Sequence, residues 1–172
     1  LLQAALIQLL GKQIKQAGSL VTSNYLRFDF NYHENLTPGM IKELEDIVNK
    51  KIWEDLPVTI KEATLAEAKK QGVIAHFGEK YNPENVRIIQ IDNFSKELCG
   101  GTHVRSTGQI GCFKITDVSA ISAGMRRITA ATGHKALELF QDNFRTVKSI
   151  GQLFKVQPDE VYETVAHQAK LT

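Results

Sequence analysis

The sequence predicts a two-layer α+β domain, helices packed on an antiparallel or mixed sheet, followed by a helical tail. Three observations carry that expectation. Segments with helical spacing of apolar residues alternate with short segments of strand periodicity; the strands come in adjacent pairs that read as hairpins; and the last forty residues return to helical spacing alone. The 172 residues, with 42% apolar and 23% charged residues, suit one ordinary globular domain with an appendage.

"LLQAALIQLLGKQIKQAG" places Leu2, Leu6, Leu9 and Ile14 near helical spacing, and Gly18 offers a stop. "SLVTSNYLRFDFNY" reads as two strands around Thr22-Ser23-Asn24. In the second of them Leu26, Phe28 and Phe30 alternate with Arg27 and Asp29. Thr37 as N-cap and Pro38 at the first helical position start a helix that ends near Trp53 to Leu56. "VTIKEAT" and "NVRIIQID" read as strands and "LAEAKKQG" as a short helix closed by Gly72. "IAHFGEKYNPEN" is a loop rich in turn formers. A long hairpin follows, with Ile110, Cys112 and Phe113 to Val118 in one arm and Met125 to Ala131 in the other; Cys112 is read as a core residue. A long helix from His134 and a short one from Pro158 close the chain.

Composition bounds the function. No apolar run approaches the roughly 20 residues needed to span a bilayer, and no signal peptide opens the chain, so a cytoplasmic protein without membrane attachment is expected. Two cysteines are too few for a disulfide scaffold. The chain opens at Leu1, inside a helical pattern and without an initiator methionine, which points to a fragment. Between Gly101 and Lys135 five basic residues (Arg105, Lys114, Arg126, Arg127, Lys135) face one acid, Asp117, a local basic patch that fits phosphate binding or a plain solvated face equally well.

Within "ELCGGTH", Cys99 and His103 supply two donor types that zinc accepts, but a zinc site needs four protein groups, or three and a water. Gly100 and Gly101 argue against a helix here and would allow positive φ angles and close approach of a substrate. On these residues alone a metal half-site and a plain glycine turn both stand.

"GSLV", "LRFDF", "GVIAHFGEKY", "ELCGGTHV", "TGQIGCFKI" and "GMRRITAATG" occur in the order and spacing of the editing domain of alanyl-tRNA synthetase, which residues 1 to 140 resemble. The threonyl editing domain is related, but its metal turn usually has Pro where this chain has Thr102. The resemblance implies an editing domain over 1–133, lacking its first helical turns, and a helical tail over 134–172 leading towards a C-terminal domain.

It further implies an enzyme, part of an alanine–tRNA ligase, that hydrolyses mischarged Ser-tRNA(Ala) and Gly-tRNA(Ala). Its partners would be the tRNA(Ala) acceptor end and the rest of the synthetase in cis, where ATP binding would reside. Zinc is the implied cofactor, with Cys99 and His103 two of four ligands. The other two, a His-x-x-x-His pair, would lie just upstream of Leu1, so weak activity is expected of this chain. The resemblance assigns Cys99, His103 and Gln16 to catalysis and Gly18, Ser19, Gly100, Gly101 and Thr102 to the substrate. Arg126 and Arg127 join the latter set, although they alternate on one strand and at most one can face the pocket. His33, His76, His134 and His167 fall at no metal position of the family and are read as surface or core histidines. A free-standing alanyl or threonyl-type editing hydrolase and a non-catalytic tRNA-binding module remain as alternatives.

Overall fold

A computed structural model describes residues 1–76 and 80–171, which form two compact units, Leu1–Gly133 and His134–Thr172. The first unit is α+β. It contains α1 (Leu2–Leu10), β1 (Gln16–Val21), β2 (Leu26–Asn31), α2 (Pro38–Trp53), β3 (Val58–Ala63), α3 (Leu65–Lys70), β4 (Val86–Ile91), β5 (Ser95–Leu98), β6 (Phe113–Ser122) and β7 (Met125–Thr132). Its strands make two antiparallel sheets, one in the order β1-β2-β7-β6 and one in the order β3-β4-β5.

The first helix is shorter than its spacing suggests. Gly11, at φ 108°, ends it, and Ile14 is buried from the following loop while Gly18 lies inside β1. Positive φ costs a glycine nothing, so the chain turns at Gly11 before the helical spacing runs out. α2 starts as expected, the Thr37 hydroxyl accepting from the Met40 N–H at 3.2 Å, and buries Leu44, Val48 and Ile52. With α1 it covers the face of the larger sheet that carries Phe28, Phe30, Phe113, Ile115, Ile128 and Ala130.

The smaller sheet has a core of its own. Ile88 and Leu98 pair across β4 and β5 and pack with Val86, Val73 and Ala68 of α3. α3 opens on a capping box between Thr64 and Glu67. β5 was not expected from the sequence: Ser95-Lys96-Glu97-Leu98 lacks alternating apolar residues and becomes a strand by pairing with β4. The predicted hairpin is present as β6 and β7, but Thr107–Ile110 forms a 3-10 turn and Gly111 a bend, so Ile110 and Cys112 precede the strand. Cys112 is half-buried rather than core, its thiol 3.7 Å from the Gly133 carbonyl.

In the second unit, α4 (Gly133–Phe154) turns through Lys155 into a 3-10 turn and α5 (Val161–Leu171). Gly151 lets the two helices approach: a Cβ there would stand 2.8 Å from the Val156 carbonyl oxygen and 3.3 Å from Val161. No helix among the described residues is long and apolar enough to cross a membrane. Phe77, Gly78 and Glu79, part of the loop expected over 74–85, lie outside the described residues.

Candidate functional site

Alternation along β5 continues past its end. Ser95, Glu97 and Cys99 fall on one face, opposite the face of Leu98 that packs on α3. Their partners on β4, Ile91 and Ile89, share that face. Facing them is β1, the edge strand of the larger sheet. A bulge between Gln16 and Gly18 puts Gln16 opposite Phe30 and Ser19 opposite Phe28, so two residues three apart point to the same side. There the Gln16 Nε2 donates to the Ser19 hydroxyl at 3.1 Å.

Between the two sheets lies a cavity of about 170 Å³ lined by Leu1, Gln16, Ser19, His76, Ile89, Ile91, Ser95, Glu97, Cys99 and His103. A second cavity, about 270 Å³ and mostly apolar, adjoins it across Leu1, Ile91, Glu97 and His103.

The glycine turn is held from behind. The Cys99 N–H donates to the Arg87 carbonyl at 3.1 Å, and the Arg87 Nη1 donates to the carbonyls of Gly100 (2.7 Å) and Gly101 (2.9 Å). Neither glycine has positive φ, contrary to the sequence expectation; a Cβ on Gly100 would meet open space. Beyond the turn, the Val58 N–H donates to the Arg105 carbonyl at 2.9 Å. The buried Thr107 hydroxyl donates to the Lys51 carbonyl (2.6 Å) and accepts from the Leu56 N–H (2.8 Å). Partial burial of its ring holds the His103 pKa below the ordinary value, against a hydrogen bond with the Gly101 backbone that favours the proton. The lowering favours the neutral imidazole, the form that ligates metals or exchanges single hydrogen bonds.

Four predicted site residues thus meet in one cavity: Cys99, His103, Gln16 and Ser19. Gly100 and Gly101 form the turn beside it, and Thr102 is exposed. Gly18 does not join them. It pairs with Asp29, on the face opposite Ser19. Arg126 is buried elsewhere, donating to the carbonyls of His33 (2.7 Å), Glu34 (2.9 Å) and Met125 (3.0 Å), and Arg127 pairs with Asp29. The expected basic patch is largely neutralised, since Lys114 pairs with Glu45 and Lys135 with Glu138.

His76 and Glu97 escaped the sequence reading. The Ile74 bridge to Glu97 carries His76 alongside β5, and its Nε2 stands 3.7 Å from the Glu97 carboxylate, with 8% and 16% of the two side chains exposed. The alternation Ser95, Glu97, Cys99 was the available signal for Glu97; His76 reaches the cavity through a long-range contact. Thiol and imidazole suit zinc by donor type, yet two donors do not close a tetrahedral site. Among the described residues no group of three or more His, Cys, Asp or Glu side chains is placed to hold a metal.

The two sheets thus bring a Cys-x-x-x-His turn and a polar edge strand to one cavity. Residues 86–129, from β4 through most of β7, match the family described as the threonyl and alanyl tRNA synthetase second additional domain. Within that class the chain is similar to alanine–tRNA ligases. It is 44% identical over 165 residues to the alanine–tRNA ligase of Thermotoga maritima and 46% identical over 165 residues to that of Listeria monocytogenes. Each match covers 96% of this chain and 19% of the relative. The Shouchella clausii enzyme is 46% identical over 157 residues, 91% of this chain and 18% of the relative. The chain thus spans about a fifth of the length of these curated relatives.

Proposed function

We propose that the unit Leu1–Gly133 is an editing domain that hydrolyses the ester between a mischarged serine or glycine and the terminal ribose of tRNA(Ala). The second unit is then a helical tail leading to further parts of a synthetase working in the cytoplasm. The observation that carries this reading is the meeting of Cys99 and His103 with Gln16 and Ser19 in one small cavity. A synthetic pocket for alanine rejects glycine by only about 1–3 kcal/mol, the worth of one methyl group, and an added hydroxyl by about a hundredfold, so accuracy needs a second site.

Here the Gln16 amide and Ser19 hydroxyl, already hydrogen-bonded to each other, receive the serine hydroxyl. Serine gains a hydrogen bond there that alanine, lacking the hydroxyl, does not make. Ile89 and Ile91 give the cavity an apolar wall for the side chain. Water is the attacking group in this reading. Cys99 and His103 would supply two ligands to a zinc ion, and a His-x-x-x-His turn ahead of α1 would supply the other two.

The test is deacylation by the chain extended through that turn. Ser-tRNA(Ala) and Gly-tRNA(Ala) are hydrolysed while Ala-tRNA(Ala) is spared; equal hydrolysis of all three overturns the second-sieve reading, and preference for Ser-tRNA(Thr) identifies a threonyl-type domain instead.

A further inference from the structure

We infer that a groove beside the cavity, edged by Lys12 and Lys15, holds the phosphates of the single-stranded 3′ end of the RNA whose ester the domain cleaves. The inference rests on the deacylase reading for the identity of its occupant. Its physical basis is separate.

The cavity around Cys99 and His103, at about 170 Å³, admits an aminoacyl group and little more. Nucleotides attached to that group must lie outside it. Sites for ligands of nucleotide size or larger run from about 300 to 1,000 Å³. A groove of about 660 Å³ adjoins the cavity, and His76 is a wall of both. The half-buried Ile7 and Ile74 give it apolar surface for bases, and Lys12 and Lys15, both exposed, supply charge at its edge. Gly72 adds open space, since a Cβ there would meet nothing within 4 Å. The apolar cavity of about 270 Å³ is the other neighbour, but its lining has the Glu97 carboxylate and no lysine or arginine, which disfavours phosphate.

The charge at this groove is unneutralised, whereas several cations elsewhere are paired. Lys42, Lys51, Lys114, Arg127 and Lys135 all have carboxylate partners. Among the described residues no carboxylate stands within ion-pair distance of Lys12 or Lys15. Lys96, whose backbone carbonyl bonds the Ile74 N–H, gives its ammonium to the neutral Gln71 amide oxygen and so keeps its field beside Gly72. Unneutralised cations next to an apolar floor are the chemistry that holds single-stranded RNA, the lysines displacing counterions from phosphates and the floor meeting the bases.

Binding of a probe that carries no aminoacyl ester tests this without any hydrolysis. The 172-residue chain is titrated with a single-stranded ribotetranucleotide ending in CCA at several salt concentrations. Lys12→Glu with Lys15→Glu weakens binding by about tenfold or more and makes the salt dependence shallower by about 0.7 for each phosphate left without its lysine. Lys12→Arg with Lys15→Arg retains both affinity and slope, and circular dichroism is unchanged in either variant because both side chains are exposed. Unchanged affinity and slope in the glutamate variant, or no binding by the parent chain, overturns the inference. Binding through these lysines by a chain extended through the upstream His-x-x-x-His turn that still hydrolyses no aminoacyl ester sinks the deacylase reading and leaves the groove standing.

Discussion

Asp29 on β2 and Arg127 on β7 stand opposite each other in the sheet and close a two-pronged ion pair, Nε to Oδ1 at 2.8 Å and Nη2 to Oδ2 at 2.9 Å. The face that bears them is the one Gly18 shares and Ser19 does not. A guanidinium committed to this fork joins two strands and does not reach the cavity of Cys99.

This pair makes stability depend on acid. The hydrogen bond from Arg127 holds the Asp29 pKa below its ordinary value, against the desolvation that raises it. A depressed carboxyl pKa contributes stability that is fully present above the unfolded value, near 4, and is lost as pH falls through the folded one. Asp29→Asn therefore lowers the melting temperature by about 2 °C at pH 7, and the gap to the parent closes as pH drops below about 4. Melting curves at pH 7 and pH 3 check it; a gap of equal size at both values rules out the linkage.

Thr107 fastens the segment after the turn to the end of α2 by one buried hydroxyl used twice. Thr107→Val keeps the shape and leaves the Leu56 N–H and the Lys51 carbonyl without that partner. The expected loss is about 1–3 kcal/mol, with Thr107→Ser recovering most of it. Denaturant unfolding of the three proteins decides the matter, and a valine variant as stable as the parent would mean that water satisfies both groups.

Cys99→Ala abolishes deacylation in the chain extended upstream of α1 and leaves the fold intact, because the core contact at the end of β5 belongs to Leu98. A complete structural zinc site is worth about 10–16 kcal/mol, and that affinity needs several ligands closing together. After dialysis the 172-residue chain holds far less than one zinc per molecule, the extended chain about one, and Cys99→Ala in the extended chain less again. Stoichiometric zinc in the 172-residue chain would show that a residue such as His76 completes the site.

Local rules made much of the fold legible. The Thr37-Pro38 start of α2, the β1–β2 hairpin and the β6–β7 hairpin all follow from capping, alternation and turn residues within a few positions. What stayed hidden depends on partners distant in sequence. β5 exists because β4 is beside it, and His76 enters the cavity because Ile74 bridges Glu97. In the site, spacing made Cys99 and His103 a candidate pair, and only the family resemblance brought Gln16 and Ser19 to them. The exclusion of Gly18 was not, because a one-residue bulge decides which face each side chain takes. Nor was the fate of Arg126, whose burial against the His33 and Glu34 carbonyls no charge count foretells.

Gln16 and Ser19 come from the edge of one sheet, while Cys99 and His103 follow the last strand of the other. Each sheet has its own buried cluster. Divergence can therefore act on the two halves separately: replacing a side chain on an unpaired edge disturbs no ladder on its outer side, and under the proposed editing function it would alter which amino acid is tolerated while the Cys-x-x-x-His turn keeps its place. An ancestral scaffold of this build can give rise to descendants that discriminate differently yet share one chemistry.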